Sequence, residues 1–303
     1  MENKENKNKN LNWYLEQARA GGYALGHFNF ATADVLRGIV QATRDAGAPA
    51  VIVGTSEGEA DFIGLKEAVA LVRVVREEYE FPVFLNADHF KSFEKCKEAI
   101  DAGYDSVIAD FSKKIFTDNM TETKKVVDYA REISKYLPVP LAGLNIEISI
   151  EGELGYLRGS SQVQTKIEIT PDDFTKPEEA KEFVEKTGVN QLAVVFGNIH
   201  GIVTEQEEKL DIEHFKSIVE AVPEVYYVLH GASGLKDADV QSAIKAGVTN
   251  VHFNTELRVA YTKGLYGALH DKPNETTPYK YLKVGVEEMK KVVAAKIKLF
   301  MGR

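Results

Sequence analysis

Four times in this chain a polar–apolar periodic stretch closes on a glycine and a β-branched run follows within a few residues: "RDAGAPAVIV", "IDAGYDSVIA", "KTGVNQLAVV" and "KAGVTNVHF". Each joint reads as a helix stopped by a glycine, the residue that takes the left-handed conformation without a Cβ clash, and then a buried strand. The glycines are Gly47, Gly103, Gly188 and Gly247. Counting every apolar run with such flanks gives eight: "YALGHFNF", "AVIVGTS", "FPVFLNAD", "SVIADFS", "EISIEGELG", "QLAVVFGN", "VYYVLHGAS" and "NVHFNT". Helical periodicity fills the gaps, as in "LKEAVALVRVVREEY" with Leu65, Val69, Val72 and Val75 on one side. Strands alternating with helices pair in parallel, and eight such units over about 250 residues match the size of a closed (β/α)8 TIM barrel. The rival is an open doubly wound sheet, but no GxGxxG turn follows the first strand and the units show no division into halves.

The flanks complete a single domain. "NWYLEQARAGG" predicts an extra N-terminal helix, carrying the only tryptophan, Trp13, across the bottom of the barrel, and the chain closes on a C-terminal helical extension. Residues 1–10, "MENKENKNKN", carry no apolar side chain after Met1 and read as a frayed tail, leaving 11–303 as the barrel. The longest stretch expected to be irregular, "YLRGSSQVQTKIEITPDDFTKPEEA", follows the fifth strand and is too long for a plain connector, which suggests a lid. A net charge of −9 and a pI near 5.4 argue against nucleic acid or an anionic membrane as partner. The lone Cys96 makes no internal disulfide and no run is apolar enough for a span or signal segment, so a reducing cytoplasm is the expected setting.

In barrels of this kind the site is built at the carboxyl ends of the strands. Those ends are polar throughout: Asn29, Ser56, Asp88 and His89, Asp110 and Ser112, Glu151 and Glu153, His200, His230, and on the last strand His252, Asn254 and Thr255. Three histidines converging from the third, sixth and seventh strands, with carboxylates nearby, suit a divalent metal such as Zn²⁺ with an open coordination position. His27, His214 and His270 lack such company and read as structural or solvated, and Cys96 reads as a small core residue. "HGASG" and "NTELR", after the last two strands, are joints of the kind that hold a phosphate on backbone N–H groups.

With these residues in place, the ordered runs "ADHFKSFEKCKEAIDAGYDSV", "EGELG", "EEAKEFVEKTGVNQLAVVFGNIHG", "LHGASG" and "NTELRVAYTKGL" resemble the class II, metal-dependent fructose-bisphosphate aldolases over nearly the whole chain. The resemblance implies zinc on His89, His200 and His230, and Asp88 as the residue exchanging a proton with the substrate's C4 hydroxyl. It implies Glu153 beside the metal pocket, with Asp110 and Ser112 supporting it. Gly201, Gly231, Ser233, Asn254 and Thr255 match positions that hold the dihydroxyacetone phosphate end, and Asn29 and Ser56 match the opposite side. It also implies a homodimer or homotetramer, a phosphorylated sugar as the small-molecule partner, and compatibility with a second, monovalent cation.

Three positions depart from the family pattern. A lid glutamate usual in a "GGxEDG"-like stretch is replaced by Ser160, Ser161 and Gln162; a small residue after the aspartate–histidine pair is Phe90, expected to narrow the pocket; and an asparagine is His252. Strand alternation places His252 on the same side as Asn254, making it a candidate to move the proton at the enediolate carbon. The expected activity is reversible cleavage of fructose 1,6-bisphosphate. The alternatives are tagatose 1,6-bisphosphate as substrate, or a metal- and phosphosugar-binding barrel of low activity. A Schiff-base aldolase needs a lysine at a strand top, and the eight tops offer none.

Overall fold

The computed structural model describes residues 9–135 and 147–303. Eight parallel strands close into a barrel: β1 (Leu25–Asn29), β2 (Val51–Ser56), β3 (Val83–Phe90), β4 (Ser106–Ala109), β5 (Ser149–Leu154), β7 (Gln191–Val194), β9 (Tyr226–Leu229) and β10 (Val248–His252), with β10 returning to β1. Two further strands, β6 (Gly159–Gln164) and β8 (His200–Val203), pair with each other outside the barrel. The helices are α1 (Leu11–Gly21), α2 (Ala33–Asp45), α3 (Glu57–Ile63), α4 (Leu65–Tyr79), α5 (Phe93–Ala102), α6 (Phe116–Ser134), α7 (Pro177–Thr187), α8 (Ile212–Ala221), α9 (Asp237–Ala246), α10 (Thr255–Asp271) and α11 (Pro278–Phe300). Among the described residues no helix is long and apolar enough to cross a membrane.

All eight barrel strands fall on the apolar runs, and the four joint glycines have φ between 71° and 131°. Three features refine the sequence expectations. Asn10, assigned to the tail, accepts the Trp13 N–H and caps α1, while residues 1–8 lie outside the described residues. α1 closes the barrel floor as expected, packing Leu11, Tyr14 and Leu15 onto Leu25, Ile52 and Phe84, but Trp13 itself is 36% exposed. The stretch after β5 is irregular only in part: Gly159–Gln164 is β6, paired with the segment that carries His200, and the rest, as far as α7, has no regular structure beyond a 3-10 turn at Pro171–Asp173.

Strand alternation sorts each strand into two faces. On β3, Val83, Leu85 and Ala87 face the helices in the main apolar core, whereas Phe84, Asn86 and Asp88 face the barrel axis, from floor to mouth. The middle interior layer is polar instead of the usual branched aliphatics. Asn86 faces His27 at 3.3 Å and accepts from Ser106 at 2.7 Å; Gln191 donates to Ser149 at 3.0 Å and accepts from Asn250 at 3.2 Å. These groups are buried, so satisfying one another avoids the cost of about 1–3 kcal/mol for each buried polar group left unpaired. This layer is a polar floor beneath the mouth.

Candidate active site

Consecutive residues of a regular strand point to opposite faces, yet both Asp88 and His89 must reach one pocket. The β3–β4 register shifts between Ala87 and Phe90, and His89 sits at φ 54°, in the left-handed region. This bulge swings His89 to the same side as Asp88, a strained arrangement of the kind that clusters at functional sites and costs of order 1–3 kcal/mol. The same step turns Phe90 outward: it is buried in the apolar core and accepts the Cys96 S–H on its carbonyl, so it does not narrow the pocket.

His89, His200 and His230 come together, with one nitrogen of each within 4.8 Å of the others. His89 Nδ1 lies 3.0 Å from Asp110 Oδ2, and Asp110 is itself held by the Ser112 hydroxyl at 2.6 Å. His230 Nε2 lies 2.6 Å from Glu151, and its Nδ1 faces His89 Nε2 at 2.9 Å. Asp110 and Ser112 therefore orient one imidazole and Glu151 another, as carboxylates commonly do behind metal-ligating histidines.

The electrostatics of the cluster call for added positive charge. Burial pushes Glu151 well above the ordinary carboxylate range and Glu153 up to about 7. Burial alone would lower His89, but Glu153, Asp88 and Asp110 outweigh it and hold the imidazole up to about 10. Burial keeps His200 and His230 below their usual range, as neutral donors. Asp88 Oδ1 and Glu153 Oε1 are buried without hydrogen-bond partners. Three imidazoles, with Glu153 Oε1 at 3.3 Å from two of them, fit a divalent cation by donor type and by charge.

Asp88 is held by Asn29, whose Nδ2 donates to Asp88 Oδ2 at 2.7 Å and to Glu59 at 2.8 Å. Glu59 in turn accepts from the Ser56 hydroxyl and N–H, the capping box that starts α3. Asn29 and Ser56 thus belong to a scaffold behind the aspartate as well as to the pocket wall, and Glu59 is a member that sequence reasoning missed. His252 stacks between His230 and His27, with ring centroids at 4.1 and 3.7 Å, and its Nδ1 is 3.6 Å from the free Asp88 oxygen. His27 has company after all: it is the buried lower ring of this stack. The other two unassigned histidines stay away, His214 on the Thr175 carbonyl and His270 at the surface.

Gly201, Gly231, Ser233, Asn254 and Thr255 line a small cavity of about 60 Å³ together with the three histidines, Asp88 and His252. Gly231 admits no side chain, since a Cβ there would lie 1.9 Å from the Ile199 carbonyl oxygen. Asn254 Oδ1 accepts the Asn29 N–H at 2.7 Å, tying β10 to β1, and Thr255 meets lid Ser161 at 3.3 Å.

Beside Gly234 of the same turn sits Glu208, 7% exposed, with neither carboxylate oxygen hydrogen-bonded; the Ile199 N–H approaches without bonding geometry. Burial pushes its carboxyl from 4.5 up to about 8. A folded pKa above the unfolded one means stability that is complete below about pH 4.5 and lost as pH rises to about 8. Glu208→Gln is therefore expected to stabilise the protein at pH 9 by about 2–4 kcal/mol and to make no difference at pH 4. Thermal melts of both proteins across that range check this; a constant difference at all pH values refutes it.

The chain has known relatives. The family model for class II fructose-bisphosphate aldolase matches residues 9–303. The chain belongs to the class II fructose-bisphosphate aldolase family. A fructose-bisphosphate aldolase from Staphylococcus aureus is 35% identical over 291 residues, 94% of each chain, and one from Staphylococcus epidermidis is 34% identical over the same length. Among solved structures, the YdjI aldolase from Escherichia coli K12 superposes with a TM-score of 0.78 at 29% identity, covering 97% of each chain. In this class II aldolase Asp88 and the three histidines share one pocket at the barrel mouth.

Proposed function

We propose that the protein is a divalent-metal-dependent aldolase that reversibly cleaves a ketose 1,6-bisphosphate, fructose 1,6-bisphosphate foremost, into dihydroxyacetone phosphate and glyceraldehyde 3-phosphate. The observation that carries it is the bulge bringing Asp88 beside His89, His200 and His230 with one Asp88 oxygen left free. His89, His200 and His230 would hold the metal, Zn²⁺ best matching the imidazole set, with Glu153 beside it. Once bound, the metal supplies Lewis-acid stabilisation of the charge that develops on the ketone oxygen.

The chain's own residues do the rest. In cleavage the free Asp88 oxygen takes the C4 hydroxyl proton as the C3–C4 bond breaks, and in condensation it returns that proton. Asn29 keeps the other oxygen fixed, so the carboxylate does not rotate during transfer. The Gly201, Gly231–Ser233 and Asn254–Thr255 segments receive the dihydroxyacetone phosphate end, and β6 closes over it through Ser161. Cleavage assayed on fructose and tagatose 1,6-bisphosphates, with chelator and metal add-back, tests the proposal; full activity after exhaustive chelation overturns it.

The lid strand offers only Ser160, Ser161 and Gln162, none a carboxylate, so the proton at the enediolate carbon needs another carrier. His252 is assigned that part because it lines the small cavity and reaches toward Asp88. His252→Asn is expected to slow exchange of the dihydroxyacetone phosphate C–H proton with deuterated water by about two orders of magnitude. Unchanged exchange would move the role to Glu151 or Glu153. Self-association through the face formed by α10 and α11, which exposes Val259, Tyr266, Leu269, Tyr279 and Val284, completes the proposal and is read from the sedimenting mass.

A further inference from the structure

His200 differs from the other two imidazoles of the cluster in how it is held. Asp110 orients His89 and Glu151 orients His230 through a ring nitrogen, whereas among the described residues no hydrogen-bond partner meets the His200 ring, which stands edge-on to His89 at 4.9 Å. Metal-ligating histidines are ordinarily fixed through the second ring nitrogen, so His200 takes its place from its backbone instead. That backbone is bonded to the lid strand at both ends. The His200 N–H donates to the Arg158 carbonyl at 2.9 Å, and the His200 carbonyl accepts from the Gln164 side-chain amide at 2.8 Å.

The pairing of β6 with β8 explains why a side chain is needed there. Gly159 pairs with His200 and Val163 with Ile202, so Ser160, Ser161 and Gln162 stand opposite Gly201 alone and bulge around it. A bulge leaves backbone groups without their rungs. Gln164 folds back to supply them: its Nε2 donates to the Ser160 carbonyl at 2.9 Å as well as to His200, and its Oε1 accepts the Ser160 N–H at 3.1 Å and the Ser160 hydroxyl at 3.2 Å. Both amide protons and the amide oxygen are thereby engaged. The bulge closes on Gly201, where a Cβ would lie 2.3 Å from the Ser160 and Gln162 carbonyl oxygens. Within the bulge Ser161 meets Thr255 at 3.3 Å, so one amide joins the lid's contact with the small cavity to the third imidazole.

We propose that Gln164 is the positioning residue for His200 and couples the lid strand to metal loading of the site. The inference rests on the metal-dependent reading above and adds a residue that the strand-top pattern did not reach. Coupling between two equilibria is reciprocal, so an ordered bulge favours a metal on His200 and a metal on His200 orders the bulge. Gln164 acts on metal affinity and lid order and takes no part in the proton transfers. Its amide is worth about tenfold to a hundredfold in metal affinity, the range usual for the outer partners of metal-ligating histidines.

The test compares the full wild-type chain with Gln164→Leu, which keeps the side chain's bulk and removes its bonds, and with Ser160→Ala, which removes a hydroxyl and leaves the bond to His200. Zinc affinity is read by competition with a chromogenic chelator, and lid order by hydrogen–deuterium exchange of residues 158–166 without zinc and at saturating zinc. Gln164→Leu is expected to weaken zinc binding by about tenfold or more, and Ser160→Ala by less than about twofold. Zinc is expected to slow exchange of the lid segment in the wild type and in Ser160→Ala, and to leave it unchanged in Gln164→Leu. Zinc affinity of Gln164→Leu within about twofold of the wild type overturns the coupling, as does a lid in that variant that still responds to zinc. Should Gln164→Leu fail to fold, Gln164→Asn, whose amide is one methylene short of the two carbonyls, carries the same comparison. His200→Ala separates the two failures. Affinity that falls in His200→Ala and not in Gln164→Leu removes the coupling alone, whereas affinity unchanged in both removes the metal reading with it.

Discussion

His89→Ala is expected to remove metal and activity together. Its Nε2 faces His230 Nδ1 at 2.9 Å and its Nδ1 is oriented by Asp110 at 3.0 Å, so truncation deletes the donor that the surrounding acids hold most firmly. It also leaves Asp88 and Glu153 buried, and Asp110 half-buried, around a hole, with less positive charge to offset them. A site reduced to two imidazoles is expected to hold zinc more than about a hundredfold less tightly, and cleavage to fall by about three orders of magnitude or more. Zinc per chain after dialysis, measured beside the cleavage rate and a far-ultraviolet dichroism spectrum, checks this. Full zinc retention in a folded variant would take His89 out of the metal site.

Asp88→Asn separates chemistry from metal binding. The substitution keeps the shape and the oxygen that accepts from Asn29, so the scaffold of Asn29, Glu59 and Ser56 stays bonded. What disappears is a carboxylate oxygen that is buried, unpartnered and able to take a proton. Turnover is expected to fall by about two to four orders of magnitude while metal content and substrate binding persist. A variant that loses its metal instead would make Asp88 part of the metal-holding set.

How much of this was legible in the chain varies from element to element. The eight barrel strands were readable because each carries an apolar face to the helices, and that face survives in sequence as an apolar run, preceded in four cases by a glycine joint. The lid was read as irregular because "GSSQVQ" has no apolar periodicity: β6 owes its form to pairing with β8, a partner far away in the sequence. Phe90 was expected to narrow the pocket because it follows the Asp88–His89 pair, and the bulge that turns it into the core is announced by no local signal. Glu59 and His27 were missed for a shared reason. Each is one ordinary polar residue locally, and becomes part of the site only when β1, β2, β3 and β10 meet.

Local physics in the sequence alone therefore determined the alternation of helix and strand, the parallel closed sheet that follows from it, and the list of polar strand ends from which a site must be drawn. Left-handed glycines and apolar periodicity act within a few residues of chain, so they are written in the chain. Only the tertiary structure decided that His89 turns in at φ 54° beside Asp88 and that a bonded polar layer underlies the mouth. Those outcomes depend on the register and closure of strands distant in sequence, where a shift of one residue would reverse every side chain.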